Sequence, residues 1–193
     1  RKMLLVDYRI NKTVEEYFIR RNLKYIKTIN NKNLYDEISG HQDIVACNIV
    51  ETTVLEKKTY DCLSDKLKEY NIVRGSATLK GTYPFDIAYN VVATDKYLIG
   101  NLKFVDEVVI RLAKRKNLKF INVKQGYTRC STLVVNNDIF ITSDTGIYNE
   151  LMRNNIKVYY IKADDITLSK RYTGFLGGAG FCYKHKLHFF GNI

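Results

Sequence analysis

The sequence predicts a mixed α/β fold, an α/β propeller of repeated strand–strand–helix–strand units with five-fold pseudosymmetry. Three observations lead to this prediction. A helix-like stretch that ends in Asn recurs at intervals of roughly forty residues, which is the spacing of a repeat protein. Two β-rich runs joined by a short polar turn precede each later helix, and the second run repeatedly ends in a polar residue. A ring of such units closes its sheets without long exposed edges.

An asparagine ends the helix of each unit. Four times this residue is followed by Leu or Ile and a short strand, at Asn22, Asn71, Asn117 and Asn155. Asn tolerates the left-handed backbone conformation that closes a helix, so its recurrence has a conformational reason. We therefore expect a helix to stop at each of these four positions.

The helices before these stops carry apolar residues at helical spacing. Residues 13–16, Thr-Val-Glu-Glu, are typical of a capping box at the start of the first helix. The helix before Asn117 has acidic residues in its first turn and basic residues in its last, which suits the helix dipole. The predicted core-facing positions are, helix by helix, Tyr60, Leu63, Leu67 and Tyr70; Val105, Val108, Val109 and Leu112; and Ile147 and Leu151.

Polar turns between apolar runs predict the hairpins. Four hairpins are expected, pairing residues 44–50 with 53–55, 89–93 with 97–99, 132–135 with 139–142, and 181–183 with 187–190. The chain enters inside one unit, with a strand at residues 4–6, and leaves inside another, because no helix follows the last hairpin. We expect residues 1–193 to form a single domain with an incomplete last unit, and the natural chain to continue past Ile193.

Length and cysteine content narrow the class of protein. The 193 residues suffice for one domain, and no apolar run approaches the ~20 residues of a membrane span. The four cysteines are widely spaced without a Cys-x-x-Cys pair, which favours reduced thiols over a disulfide framework. With three histidines, a structural zinc site is not expected. The sequence predicts a cytoplasmic protein with no membrane partner, and it indicates no particular oligomeric state.

The net charge of +11 has two interpretations. One is an acidic partner, such as a nucleic acid or the ribosome. The other is a lysine-rich solvated surface. Basic residues occur along the whole chain, as in Lys57-Lys58 and Lys114-Arg115-Lys116, without the dense run that is typical of a nucleic-acid-binding tail.

Five hairpin–helix–strand units resemble the pentein fold, also called the guanidino-modifying-enzyme fold. Its members include arginine deiminases, dimethylarginine dimethylaminohydrolases and amidinotransferases, and a non-enzymatic relative is the ribosome anti-association factor of archaea and eukaryotes. Three segments are similar to a bacterial family of uncharacterised function assigned to this fold: residues 124–131 (KQGYTRCS), 143–147 (SDTGI) and 174–178 (GFLGG). The similarity spans nearly the whole chain and implies a fold rather than a reaction.

The chain departs from the pattern of the enzymes it resembles. Those enzymes attack a guanidinium carbon with a Cys thiolate, helped by a His and carboxylates, and the Cys follows the run Gly-Gly-Gly-x-His-Cys. The corresponding stretch here ends in Cys182, with Ala179 and Phe181 in place of motif residues. No His lies near Gln125, where the resemblance places the catalytic His. We therefore expect no standard guanidine hydrolysis, and a Cys182 that is buried or incidental on a hairpin strand.

Cys130 is the second candidate nucleophile. A neighbouring Arg129 would lower the pKa of its thiol, and the loop containing Gly126 would expose the sulfur. The alternative is that Cys130 opens a buried strand as a small apolar residue. If a ligand site exists, we expect it near the loop 124–131, with Asp86 and Asp144 facing that loop across the centre of the ring. Arg129 or Lys124 would then hold an anion.

Further candidate ligand-binding residues are polar residues that occupy equivalent positions at the ends of the repeated units. Asn101, Asp144 and Asn192 would either surround a central channel, where carboxylates favour a cation, or cap helices. Gly177-Gly178 lacks the Lys-Ser or Lys-Thr of a phosphate loop, so no cofactor is predicted. The candidate ligand-binding residues are Asp86, Asn90, Asn101, Lys124, Gln125, Tyr127, Arg129, Asp144, Gly177, Gly178 and Asn192, and the candidate nucleophiles are Cys130 and Cys182.

Two classes of function follow. The first is a pentein that binds a small ligand in a central cavity and lacks the standard guanidine hydrolase activity. The second is a basic module that binds a macromolecule, the ribosome or RNA, like the non-enzymatic relative. We favour the first.

Overall fold

The computed structural model describes residues 3–163, 166–169, 173–183 and 185–189. Its helices are α1 (Lys12–Arg20), α2 (Gln42–Val45), α3 (Lys57–Leu63), α4 (Glu107–Arg115) and α5 (Thr145–Arg153), with a 3-10 turn over Ser64–Leu67. Its strands are β1 (Leu4–Val6), β2 (Tyr25–Lys27), β3 (Ala46–Ile49), β4 (Thr52–Leu55), β5 (Ile72–Arg74), β6 (Val92–Ala93), β7 (Tyr97–Gly100), β8 (Lys119–Asn122), β9 (Thr132–Val134), β10 (Ile139–Thr142), β11 (Lys157–Tyr160), β12 (Gly180–Tyr183) and β13 (Lys186–Phe189).

The strands form small, separate sheets. Three of these sheets have three strands each, in the orders β3-β4-β5, β6-β7-β8 and β9-β10-β11. In each one the first two strands form an antiparallel hairpin, and the third returns after a helix to lie parallel to the second. Two further sheets have two strands, the parallel pair β1–β2 and the antiparallel hairpin β12–β13. The described chain is therefore a mixed α/β fold with small sheets.

All four predicted hairpins are present, but two begin later than expected. Ile44 and Val45 were expected in a strand and instead lie in α2, so the first hairpin begins at Ala46. Residues 89–91 were also expected in a strand, but tight turns occupy this segment, because Asn90 N–H donates to the carbonyl of Ile87. In both places the chain folds back to place a polar side chain in the interior. Residues 184 and 190 of the last hairpin lie outside the described residues.

Three of the four predicted asparagine stops have the expected conformation. Asn22, Asn117 and Asn155 have φ values of 50°, 55° and 57°, in the left-handed region. Asn71 does not have a positive φ, and the expectation was wrong there. It follows a 3-10 turn rather than a regular helix, and its side-chain amide donates to Thr52 Oγ1 at 2.8 Å.

The N-cap of the first helix lies two residues before the predicted capping box. Asn11, rather than Thr13, is the N-cap, and its Oδ1 accepts a hydrogen bond from Val14 N–H at 2.9 Å. Thr13 already lies inside α1. In the part of the chain that the structure describes, no helix is long and apolar enough to cross a membrane.

The predicted apolar stripes of the helices form the core. In α4, Val108 and Val109 are buried in one cluster, and Leu112 packs against it. Val105, which was expected in this helix, lies just before its N-cap and packs against the same cluster. A second cluster contains side chains of α5 and β10, and a third lies under α3. Members of the three clusters include Ile49, Val54 and Leu98; Phe140, Ile147 and Leu151; and Leu55, Leu63 and Leu67.

The carboxylate of Asp106 starts α4 and ties the helix to the segment after β5. Its Oδ1 accepts hydrogen bonds from the backbone N–H groups of Val108 at 2.8 Å and Val109 at 3.3 Å. Its Oδ2 accepts from the N–H groups of Ser76 at 2.8 Å and Ala77 at 2.6 Å. Burial opposes ionisation of this group, but the hydrogen bonds outweigh it and lower the pKa of Asp106 below its ordinary value.

We expect Asp106→Asn to lower the free energy of unfolding at neutral pH by roughly 2–3 kcal/mol, because an amide nitrogen would face backbone N–H donors. A carboxyl whose pKa is lower in the folded state contributes stability above its unfolded pKa and loses it as the pH falls through its folded pKa. The difference between the native protein and the variant should therefore shrink below about pH 4. Urea unfolding followed by circular dichroism, at neutral and at acid pH, measures this difference.

The matched control is Asp65→Asn, because the Asp65 side chain is 90% exposed. This change should alter the free energy of unfolding by less than about 0.5 kcal/mol. An Asp106→Asn deficit that stays the same at every pH would contradict the role assigned to the carboxylate.

Candidate functional site

The loop between β8 and β9 is held in shape by its own hydrogen bonds. Tyr127 N–H donates to Gln125 Oε1 at 3.0 Å, and Thr128 Oγ1 donates to the Gln125 carbonyl at 2.7 Å. Ser131 N–H donates to the Tyr127 carbonyl at 2.9 Å. These bonds make the loop a fixed platform, so the side chains that it presents are already positioned.

Gln125 connects this loop to the start of α5. Its Nε2 donates to Asp144 Oδ2 at 2.9 Å, and the other carboxylate oxygen accepts from Ile147 N–H at 2.7 Å. Asp144 is therefore the N-cap of α5, as the capping alternative expected, and its second carboxylate oxygen connects the helix to the loop through Gln125.

Asn101 does not cap a helix. Asp106 begins α4, and the Asn101 side-chain amide instead donates to the carbonyl of Lys124 at 3.1 Å. The Lys124 side chain is exposed. Asn101 thus fixes the backbone where the loop leaves β8. Asn192, the third residue of this predicted set, lies outside the described residues.

Asp86 is fully buried and faces the loop. The hydroxyl of Tyr127 donates to its Oδ2 at 2.5 Å, and the hydroxyl of Tyr35 lies 3.4 Å from that of Tyr127. Burial and then the hydrogen bond to the carboxylate raise the pKa of Tyr127, so its hydroxyl stays protonated as a donor. The other oxygen, Asp86 Oδ1, is buried without a hydrogen-bond partner among the described residues.

The side chain of Asn90 joins three segments in the interior. Its Nδ2 donates to the Asp43 carbonyl and to Cys130 Sγ, both at 2.9 Å. Its Oδ1 accepts from the N–H groups of Arg129 at 2.8 Å and Cys130 at 3.3 Å. The amide therefore uses both of its ends to connect α2, the segment before β6 and the loop 124–131.

The thiol of Cys130 belongs to the same interior group. Sγ donates to Asp43 Oδ2 at 3.0 Å, and only 6% of the residue is exposed. Burial, followed by the charge of the Asp43 carboxylate, raises the pKa of the Cys130 thiol well above its usual value, and Arg129 offsets this only weakly. Near neutral pH the group is a protonated donor rather than a thiolate.

The glycine run docks on the carbonyl groups of the loop. Gly177 N–H donates to the Cys130 carbonyl at 2.6 Å, and the Arg129 guanidinium donates through Nη1 to the carbonyls of Thr132 and Gly177 at 2.9 and 3.2 Å. A Cβ on residue 177 would lie 2.2 Å from the Arg129 carbonyl oxygen, so the close approach requires glycine. A Cβ on Gly178 would lie 3.9 Å from Asp43 Oδ2.

Cys182 lies half-buried on β12, with Leu187 opposite it in the hairpin. It follows the glycine run as the resemblance implied. His188 of β13 stacks on Phe181 with ring centroids 4.9 Å apart, and its Nδ1 lies 3.0 Å from the hydroxyl of Tyr17. His188 thus contacts aromatic side chains.

Two residues of this region were not identified from the sequence alone. Asp43 and Tyr35 lie in segments with no motif, and Asp43 immediately precedes a stretch that was expected to be a strand. Their partners, Cys130 and Tyr127, are 87 and 92 positions away in the chain, so no local spacing identifies them. Among the described side chains, no group of three or more His, Cys, Asp or Glu residues is arranged to hold a metal ion.

A family model described as "Family of unknown function (DUF6873)" matches residues 5–193, and the chain belongs to that family. No curated protein matches it. Among solved structures, it is similar to a crystal structure of dimethylarginine dimethylaminohydrolase, a histidine-to-glycine variant in an adduct with S-methyl-L-thiocitrulline. The TM-score is 0.51 at 7% identity, over 90% of this chain and 70% of that one. The likeness concerns the fold alone and supports a pentein-like fold.

The four thiols should differ strongly in reactivity. Cys62 is exposed, whereas Cys47 and Cys130 are buried, and burial raises the pKa of the Cys47 thiol to about 12. Because the thiolate is the reactive form, we expect Cys47 and Cys130 to react with a disulfide reagent at least about a hundredfold more slowly than Cys62. Mass spectrometry of the labelled peptides over time measures the order.

Two controls accompany this measurement. Cys62→Ser should remove the fast phase, and urea should make the remaining thiols react at similar rates. If Cys130 in the folded protein reacts as fast as Cys62, the thiol is activated, and the protonated state assigned to it is wrong.

Proposed function

We propose that this member of the family binds a small organic cation at the carboxylate of Asp86. The observation that carries the proposal is the oxygen Oδ1, which is buried and has no hydrogen-bond partner among the described residues. A buried polar atom without a partner costs free energy, and charged donors form the strongest hydrogen bonds to carboxylates. An ammonium or guanidinium group supplies such a donor.

The aromatic rings beside Asp86 favour the same class of ligand. Tyr127, which donates to Asp86, packs against the rings of Tyr83 and Phe175 with centroid distances of 5.9 and 5.7 Å. The face of an aromatic ring attracts a cation through its quadrupole. A carboxylate next to several rings therefore suits an organic cation better than a neutral polar molecule.

Entry of this ligand requires a side chain to move, because Asp86 has no exposed surface. Of the two rings that pack on Tyr127, Tyr83 is the more exposed, with 54% of its surface accessible, whereas Phe175 is half-buried. Tyr83 also packs closely on the backbone of Gly126, since a Cβ there would lie 2.6 Å from the Tyr83 ring. We expect the Tyr83 side chain to move when the cation enters.

The proposed site lies at the centre of a closed ring. In this arrangement residues 1–193 form one domain, and its five small sheets close with five-fold pseudosymmetry around the ligand site. Contacts of β3 with β6 and of β9 with β12 support this arrangement. The hydrogen-bond contact between Tyr17 on α1 and His188 on β13 supports it as well, because it joins the first helix to the last hairpin.

The proposed activity is binding without guanidine hydrolysis. A hydrolase of this type needs a thiolate and a group that transfers protons. Cys130 is a protonated, buried thiol, and Gln125, near which the resemblance places the catalytic His, uses its amide to bind Asp144 and Tyr127 N–H. An amide does not exchange protons near neutral pH, so neither residue supports the reaction.

We expect L-arginine and agmatine to bind, and L-citrulline, in which a neutral ureido group replaces the guanidinium of arginine, to bind at least about tenfold more weakly. Asp86→Asn should weaken agmatine binding by about tenfold or more, because it removes the charge but keeps the shape of the side chain. Isothermal titration calorimetry measures both comparisons, and Asp65→Asn on the surface is the matched control.

Equal affinity of the native protein and Asp86→Asn for agmatine would exclude Asp86 as the cation-binding group. Absence of binding by arginine, agmatine and tetramethylammonium alike would refute the proposed ligand class.

We also expect no ureido product from arginine, dimethylarginine or agmatine at rates above about 1 per second, the lower range of ordinary enzymes. Colorimetric detection of ureido groups over several hours measures this. Cys130→Ser and Cys182→Ser should leave the background unchanged. Turnover above that rate that is lost in Cys182→Ser would show that the protein is a hydrolase.

A further inference from the structure

Two large aromatic side chains are exposed on one short loop. Tyr83 and Phe85 each have 54% of their surface accessible. The loop that carries them is closed by backbone hydrogen bonds, from Lys80 N–H to the Phe85 carbonyl at 3.1 Å and from Phe85 N–H to the Thr82 carbonyl at 2.9 Å. The loop is therefore ordered, and it holds both rings at the surface. Phe85 has no part in the cation site proposed above.

Lysines surround these rings. Lys80 Nζ lies 5.2 Å from the centroid of the Phe85 ring. Lys57, at the start of α3, donates to Thr78 Oγ1 at 3.3 Å, two positions before Lys80. Lys58 donates to Asn33 Oδ1 at 2.7 Å. Asn33 in turn lies against the aromatic loop, because a Cβ on Gly81 would be 3.2 Å from the Asn33 carbonyl oxygen. The three lysines thus border one surface.

Among the residues that the structure describes, no carboxylate forms an ion pair with these three lysines. Some exposed cations elsewhere are paired with carboxylates, as in Lys96–Asp138 at 2.6 Å and Arg74–Asp61 at 2.8 Å. The hydrogen bonds of Lys57 and Lys58 go instead to a hydroxyl and an amide, and Lys80 contacts a ring. In a chain of net charge +11, this surface keeps three positive charges for an external partner.

We propose that this loop surface, made of Lys57, Lys58, Lys80, Tyr83 and Phe85, binds single-stranded nucleic acid. Phosphate groups match the lysines, and unpaired bases stack on exposed aromatic rings. A duplex keeps its bases stacked on one another and cannot offer them to Tyr83 and Phe85. An acidic peptide would match the charge but would leave the two flat rings without a matching group. Single-stranded nucleic acid is the partner that accounts for both features.

Fluorescence anisotropy with a labelled 15-nucleotide oligouridylate tests the proposal. The variant Tyr83→Ala/Phe85→Ala should weaken binding by about tenfold or more through lost stacking. The triple change Lys57→Gln/Lys58→Gln/Lys80→Gln should weaken it as well and should reduce the slope of log affinity against log salt by about 2. Thermal unfolding should confirm that these surface variants stay folded.

The matched control replaces three exposed cations on α4, Arg111→Gln/Lys114→Gln/Arg115→Gln, and so removes the same net charge. It should weaken binding much less than the loop triple variant. A duplex of equal length and polyglutamate should bind at least about tenfold more weakly than the single strand. Any of four results would overturn the proposal: no binding, unchanged binding after the aromatic change, equal losses in the two triple variants, or equal affinity for duplex or polyglutamate.

Discussion

The side-chain amide of Asn90 is the interaction on which the arrangement of the candidate site depends. It is only 1% exposed, and it donates to Asp43 and Cys130 while it accepts from two consecutive backbone N–H groups of the loop after β8. Hydrogen bonds in a low-dielectric interior are strong when they are satisfied and costly when they are broken. The short helix α2, the segment before β6 and the loop 124–131 therefore keep one relative position, and the Asp86–Tyr127 contact is built on it.

Most polar groups in this part of the interior are hydrogen-bonded, so the few buried polar atoms without a hydrogen-bond partner indicate where a ligand could bind. Among the described residues, Glu56 Oε1 and Asp86 Oδ1 are buried carboxylate oxygens without a partner. The other oxygen of Glu56 accepts from Thr59 N–H, Thr59 Oγ1 and the Asn31 amide, so Glu56 has a complete role as the N-cap of α3. Among the described residues, the Asp86 carboxylate has one hydrogen-bond partner, the hydroxyl of Tyr127. This difference is why the cation is proposed at Asp86 and not at Glu56.

The sequence predicted the hairpins and helices because their signals are local. Turn residues between apolar runs, and asparagines in left-handed conformation at Asn22, Asn117 and Asn155, depend on neighbours within a few positions. The two errors in strand assignment occurred where a distant contact decides the backbone. Ile44 and residues 89–91 have strand-like composition, yet the chain turns there, because Asp43 and Asn90 reach the loop 124–131. The network around Cys130 spans 40 to 87 positions, and no motif encodes it.

The same contrast between local and distant contacts explains why the likeness to dimethylarginine dimethylaminohydrolase is a likeness of fold alone. Fold is set by the hairpins, the helix stops and the glycine approach at Gly177, all of which this chain has. Catalysis depends on a few side chains. Gln125 lies near the place where the resemblance puts the catalytic His, and its side chain has a structural role. Its Nε2 binds the Asp144 carboxylate and its Oε1 accepts from Tyr127 N–H, so both ends hold the loop in place. A side chain engaged in this way holds the loop in place, and a fold shared with an enzyme does not by itself carry that enzyme's function.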